Sequence, residues 1–395
     1  MKRVLHVMAS LERSGMEQML LSSADEWRAA GYACDVVATS EEIGQAAEAM
    51  RERGYGVFHL PFRNRNKALP RAAFVRDFYR LCARGYDVVH IQVEAGRPLY
   101  ALIARLAGVP RLAVTPHSIF QFCGILRFRK MAERQLIRLL GGRYGMISEA
   151  VRTNEWKRFR IRGTRIFNWA DTEHFRLPTG EERVTARRAL GISEKEFVTI
   201  SVGNCCYAKN HSALLEALAS LPVNERPTHL HVGREEPGEP ERALAERLGI
   251  EKTTHFFGSQ PDTRSYLWAA DAMLMPSAYE GFPLAAVEAL ACGLPLVCTG
   301  VGGLLDLARE TEGTVLTSVE SASIAEGVRT VMQMNAELRQ ARARRNSTYI
   351  REHYSVQSGV ASIINGLYGE SSSTSGTARA WQTKSGATAE RQSGD

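Results

Sequence analysis

Short apolar runs alternate with longer stretches of helical periodicity along almost all of this chain. In the first half the runs are VLHVMA, CDVVAT, GVFHLP, DVVHIQ, RLAVT and YGMIS, each of strand length. Helix-length segments lie between them and close on Gly31, Gly54, Gly85 and Gly108, the usual residue type just past a helix end. The composition shifts near residues 176–182, RLPTGEE, and the pattern then restarts with FVTISVG, THLHVG, THFF, AMLMP and LPLVCT. Repeated βα alternation predicts a parallel, doubly wound sheet, so two such series predict two Rossmann-like domains facing a central cleft.

A chain of 395 residues is long enough for two cores. The expected division is a first Rossmann-like domain over 1–175, a second over 176–350 and a helical segment over 351–368 that returns toward the first domain. The Ser/Thr/Gly-rich stretch 369–395 lacks periodicity and reads as a disordered tail.

Charge adds an asymmetry. Residues 1–170 carry 28 Lys and Arg against 15 Asp and Glu, whereas the remainder carries 22 against 28. A basic first half suits an anionic partner, or is simply a solvated basic face. Seven cysteines, an odd number without Cys-x-x-Cys spacing, give no disulfide framework and no zinc motif, which suggests a reducing cytoplasm. The N-terminal run meets His6, Glu12 and Arg13 too early for a signal peptide, and no apolar stretch is long enough to span a membrane.

The chemistry concentrates in MPSAYEGFPLAAVEALACGLPLV, residues 275–297. AMLM reads as a buried strand, PSAYEG as the loop at its carboxyl end, and Pro283 suits a first helical turn because it lacks an amide hydrogen. The helix is expected to run from Leu284 to Gly293, presenting free amides and a partial positive charge to an anion such as phosphate. Glu280 lies just before that anion site and Glu288 one turn further on. Two carboxylates so placed can accept hydroxyl hydrogen bonds on either side of a diphosphate. The eight-residue spacing alone is weak, since Glu173/Glu181 and Glu312/Glu320 repeat it without the loop-helix context.

The whole string PS-x-x-EGFPL-x-x-x-EALACG-x-P, followed by Gly302 and Gly303, resembles retaining glycosyltransferases of family 4, which have the GT-B fold. Further matches are SLERSGMEQMLL (first glycine loop), YDVVHIQ and AVTPHS (strand ends bearing histidines), FNWADTEHF (domain junction) and SVGNCCYAKNHSALLEAL (phosphate-binding strand-loop-helix). Three departures stand out: Ser14 for the first of two glycines, Trp169 for a junction glycine, and Asn204 for an arginine.

The resemblance implies that Glu280 binds donor-sugar hydroxyls, with the amides of Gly281 and Phe282, and that Glu288 binds the ribose. Lys209, Asn204 beside Gly203, and the helix start at Leu284 would stabilise the leaving diphosphate. Gly15 would approach the phosphates from the other domain, and Phe257 and Gly258 would meet the base through backbone. Asn204 brings no charge, so Arg234 is a candidate to compensate. His117 is expected in the same cleft near the reacting sugar. His90 is balanced between function and structure, and Asp171 reads as a cap. Lys209, Glu280 and His117 are thus the catalytic candidates.

No Asp-x-Asp occurs, and enzymes of this fold generally need no metal, so neither metal nor cofactor is expected. The implied reaction is transfer from a nucleotide-sugar donor to a glycan or lipid-linked acceptor in surface polysaccharide or glycolipid synthesis. The alternative is a catalytically impaired nucleotide-sugar-binding protein serving as scaffold or partner subunit. Residues 125–143 mix Leu, Ile and Phe with Arg and Lys at helical spacing, which suits either an anionic membrane surface at the inner face or a core helix with a charged edge. Nucleic acid is not expected, because no binding module accompanies the basic segments.

Overall fold

The computed structural model describes residues 1–12, 14–62 and 68–369. Arg63, Arg65 and Lys67, which belong to the basic charge of the first half, and the tail from residue 370 lie outside the described residues. Seven strands form the first sheet: β1 (Lys2–Met8), β2 (Tyr32–Ala38), β3 (Gly56–His59), β4 (Val88–Ile91), β5 (Arg111–Val114), β6 (Gly142–Met146) and β7 (Thr164–Arg165). Their order is β3-β2-β1-β4-β5-β6-β7, all parallel. Six more form the second: β8 (Val198–Val202), β9 (Thr228–Val232), β10 (Thr254–Phe256), β11 (Ala272–Met275), β12 (Leu296–Thr299) and β13 (Val315–Thr317), ordered β10-β9-β8-β11-β12-β13 and again parallel.

The expected pair of Rossmann-like α/β domains is therefore present. The central strands are apolar on both faces (β4 VVHI, β11 AMLM and β12 LVCT are buried throughout) because helices cover both sides of a parallel sheet. In each sheet the winding reverses at one place, between β1 and β4 and between β8 and β11. There the connecting helices diverge to opposite faces and leave a crevice beyond the strand ends.

The junction is built from buried groups. Trp169, where the sequence departs from the family glycine, is 2% exposed and donates its indole N–H to the Met19 carbonyl at 3.0 Å. A side chain at Gly359 would put its Cβ 2.1 Å from that ring, so Trp169 plugs the space between the helices Gly15–Ala29 and Val356–Ser362. The chain returns to the first domain there: Ala170 donates to Tyr354, Phe167 to Ser362, and the Tyr368 hydroxyl meets His90. The helical segment expected over 351–368 takes in the end of the helix Ala336–His353, restarts as Val356–Ser362 and finishes as a π-turn, Ile363–Leu367. Across the domains, Arg165 pairs with Glu310 at 2.8 Å and the Glu149 amide donates to Asp306 at 2.8 Å.

Candidate active site

The loop after β8 and the loop after β11 flank the crevice of the second sheet and carry most of the candidate residues. Lys209 ends a short 3-10 turn after β8, and Glu280 lies five residues past the end of β11. They meet: Lys209 Nζ lies 2.6 Å from Glu280 Oε1, which also accepts from Ser277 Oγ at 3.0 Å. The pair is largely shielded from water, at 23% and 11% side-chain exposure, so it is stronger than a surface pair. Asn210 fastens the two loops together. Held in the left-handed region at φ 58°, it donates to Pro276 and Val319 carbonyls at 3.1 and 2.8 Å, while the Ala278 amide donates to Ala208.

The helix expected after Glu280 spans Leu284–Ala291, with Pro283 at the N-cap rather than within the first turn. In its first turn the Ala286 amide donates to the Pro283 carbonyl at 3.2 Å, and the amides of Leu284 and Ala285 precede the helical ladder, at the end that Gly15 of the first domain faces. Phe282 points the other way: its ring is 7% exposed and stacks on Tyr354, leaving only its backbone for a ligand. Two glycines allow backbone to approach closely here. A Cβ at Gly281 would sit 2.1 Å from the His117 carbonyl oxygen, and one at Gly302 would sit 1.9 Å from that of Glu280. Gly15, opening its helix in the first domain, faces Leu284, whose Cδ1 would be 3.0 Å from an added Cβ.

Glu288 stands apart from the Lys209–Glu280 pair. Burial, reinforced by the nearby Asp262 carboxylate, pushes its pKa up to about 7. Asp262 is itself bound by His174 at 3.0 Å and by the Arg264 amide. A carboxyl so desolvated favours hydroxyl partners over bulk water.

On the first domain's side, His117 Nε2–H donates to Gln92 Oε1 at 3.0 Å, and Gln92 donates to His6 Nδ1 at 2.9 Å. Burial lowers the His117 pKa to about 4, with the Arg97 charge acting in the same direction, so the ring is neutral at pH 7. His90 is 1% exposed between Thr115 and Tyr368 and takes the structural role. Asp171 accepts from the Glu173 and His174 amides, as a cap does.

The departures from the family pattern acquire local explanations. Ser14 has φ −120° and ψ 174°, an extended conformation open to any residue, and its hydroxyl donates to the buried Glu17 carboxylate. Asn204 is exposed and spends its Oδ1 accepting from the Arg234 amide at 3.0 Å. The Arg234 carbonyl in turn accepts from Cys205, which places the exposed Arg234 side chain beside the loop that lacks the family arginine. The loop after β10 brings Phe257 and Gly258 to the same end of the sheet. Phe257 packs on Tyr266, and the Gly258 carbonyl accepts from Gly233. Ser277, Asn210, Gln92 and Asp262 all orient candidate groups and escaped the sequence reading. Ser277, Asn210 and Gln92 each lie inside a string that carries the resemblance (PS-x-x-E, SVGNCCYAKNHSALLEAL and YDVVHIQ), whereas Asp262 had no local signal.

Comparison with known proteins decides the family. Residues 182–348 match the family described as glycosyl transferases group 1, and residues 14–203 match the glycosyl transferase 4-like domain. The chain belongs to the GT-B glycosyl transferases group 1 family. Within that family it is 32% identical to the lipopolysaccharide glucosyltransferase WaaG of Escherichia coli (strain K12) over 185 residues, 46% of this chain and about half of that one, 49%. It is 25% identical to EpsF of Bacillus subtilis (strain 168) over 382 residues, covering 92% of this chain and 96% of the other. The fold superimposes on Anabaena Alr3699/HepE, solved in complex with UDP and glucose, with a TM-score of 0.76 at 20% identity, over 93% of this chain and 100% of that one. As a group 1 glycosyltransferase it carries the two-domain arrangement expected from its sequence. No helix among the described residues is long and apolar enough to cross a membrane.

Proposed function

We propose that this glycosyltransferase moves a sugar, with retention of configuration, from a nucleotide-sugar donor to a glycan or lipid-linked acceptor in surface polysaccharide or glycolipid synthesis. The observation that carries the reading is the Lys209–Glu280 pair at the winding reversal of the second sheet, opposite Gly15 and His117. A diphosphate at the start of the helix Leu284–Ala291 would compete for the Lys209 ammonium. Glu280, released from its lysine, would then accept hydroxyl hydrogen bonds from the donor sugar. Charge that develops on the leaving diphosphate would be met by Lys209 and the helix amides, already oriented before reaction. Arg234 would lie close enough to reinforce a loop where Asn204 supplies no charge.

The binding of UDP and glucose by a protein of the same fold supports the donor class. For the acceptor, the helix Gly124–Leu139 supports a peripheral position on an anionic membrane at the inner face. Ile125, Phe128 and Leu139 are 89%, 63% and 78% exposed, beside exposed Arg129 and Arg138. Of its other basic residues, Arg134 is held by Glu155 and Glu94, Lys130 by Glu133 and Glu94, and half-buried Arg127 donates to the Arg158 carbonyl.

Thermal-shift screening of nucleotides and nucleotide-sugars should reveal a donor by a raised midpoint, because binding to the native state alone stabilises it. Transfer assays with the selected donor should then show turnover. A raised midpoint with no transfer to any glycan or lipid acceptor would instead favour the scaffold reading.

A further inference from the structure

Beneath the Lys209 loop lies a cluster that the proposed chemistry does not use. Cys205, His211 and His231 are all buried, and one ligand-type atom from each lies within 4.8 Å of the other two. Cys205 Sγ is 3.3 Å from His231 Nε2. His211 Nδ1 is buried without a hydrogen-bond partner, and so is Oε2 of Glu241, a residue 8% exposed whose carboxylate lies against the Cys205 thiol. Unpaired buried polar atoms are uncommon and costly, and here two of them surround one Cys–His contact.

One proton arrangement of the hydrogen bonds behind His231 leaves its outer ring nitrogen bare. In it Thr199 Oγ1 donates to the Thr228 carbonyl at 3.4 Å and accepts from His229 Nδ1–H at 3.0 Å, leaving His229 Nε2 as an acceptor. Ser201 Oγ donates to that nitrogen and accepts from His231 Nδ1–H. A His231 ring so arranged presents its Nε2 lone pair to Cys205. Hydrogen bonding of the far ring N–H sets the tautomer and orientation of a metal-ligating imidazole.

We propose that Cys205, His211 and His231 bind a zinc-class divalent cation, with Glu241 positioned to supply the fourth ligand. Tetrahedral zinc with its ordinary bond lengths to sulfur and nitrogen sets those two donors about 3.5 Å apart, near the observed 3.3 Å. Binding replaces the thiol proton with the metal, and the proton leaves to solvent. Thiolate and carboxylate then neutralise the two positive charges, so a buried site gains no net charge. The cation would be structural. Cys205 and His211 bracket the turn bearing Lys209, and His231 lies one residue before the end of β9, so the metal would clamp the catalytic loop to the sheet. Sequence reading passed over the site because its ligands follow no zinc spacing.

The test uses the full chain without a histidine tag, stripped of metal and then dialysed against buffered zinc. One equivalent of zinc should be retained, and the thermal midpoint should rise. Cobalt in place of zinc should give a thiolate-to-metal charge-transfer band and the strong visible absorption of tetrahedral cobalt. Exposed Cys206 is the control: Cys206→Ser should keep every signal and Cys205→Ser should lose them. Zinc well below one equivalent in the unaltered protein, cobalt without a thiolate band, or loss of the band in Cys206→Ser would each overturn the site. The unaltered chain and Cys206→Ser decide the matter even if Cys205→Ser fails to fold.

Discussion

Across the cleft, two strand-end clusters handle charge in opposite ways. On the first domain's side stand His6, His90 and His117, each rendered neutral by burial and linked through Gln92, Thr115 and Tyr368. On the second domain's side stand Lys209 and Glu280 as an ion pair and Glu288 as a carboxyl pushed toward neutrality. Neutral rings tolerate desolvation once their nitrogens are hydrogen-bonded, whereas charges tolerate it only with a partner. Within the first cluster His6 and His90 behave as part of the core, His117 faces the cleft, and the second cluster is poised to exchange an internal partner for a ligand. Substitutions of His6 and His90 should cost stability and spare turnover. On the second side the order should reverse.

The largest expected effect lies at the first domain's junction. Trp169→Ala should lower unfolding free energy by about 3–5 kcal/mol, the usual cost of emptying a buried aromatic site. Equilibrium denaturation measures it, and turnover per folded molecule should stay near normal. An unshifted denaturation midpoint would break the comparison on that side.

Next, Lys209→Ala should reduce turnover per folded molecule by about 10²–10³-fold, as removal of one preorganised donor does, and should also lower the thermal midpoint, because Glu280 is left shielded without its cation. Near-normal turnover would remove Lys209 from the mechanism and leave the second cluster structural as well.

Glu288 sharpens the comparison through pH. Its folded pKa of about 7 lies above the ordinary 4.5, so between these values the unfolded chain binds fewer protons than the native one. Stability from this group is thus greatest below pH 4.5 and falls as pH rises through 7. Glu288→Gln should remove that slope, so the midpoint of the variant relative to the parent should climb from pH 5 to pH 8. A constant difference would mean that the carboxyl titrates normally.

The smallest effect concerns the helix Gly124–Leu139. Co-sedimentation with anionic liposomes should occur at low salt and fade at high salt, and Arg129→Glu should weaken it by about 1 kcal/mol or somewhat more. No binding at low salt ends the membrane proposal, leaving the basic residues of the first domain to internal pairs such as Arg134–Glu155.

Much of this was legible in the chain itself. The strand runs and the glycine stops between them anticipated eleven of the thirteen strands. The two that were missed, Thr164–Arg165 and Val315–Thr317, are edge pieces of two and three residues, too short to develop a periodicity. Glu280 and the helix start after it were visible because one short string holds strand, loop and proline together. Pairings over long separations were not. Lys209 and Glu280 are 71 residues apart, and His6 meets Gln92 across 86.

What the sequence determined alone was local: which segments are strands, where helices begin and end, and which carboxylate precedes an anion-ready helix. Periodicity and turn chemistry act over a few residues, so they can be read without the fold. Tertiary structure decided which of those groups carry charge. It gave Glu280 a lysine, denied Glu288 one, left His117 neutral, and turned Arg134 inward while Arg129 faced water. Desolvation and Coulomb forces depend on what lies within a few ångströms, and only the packing of loops and helices around each sheet sets that neighbourhood.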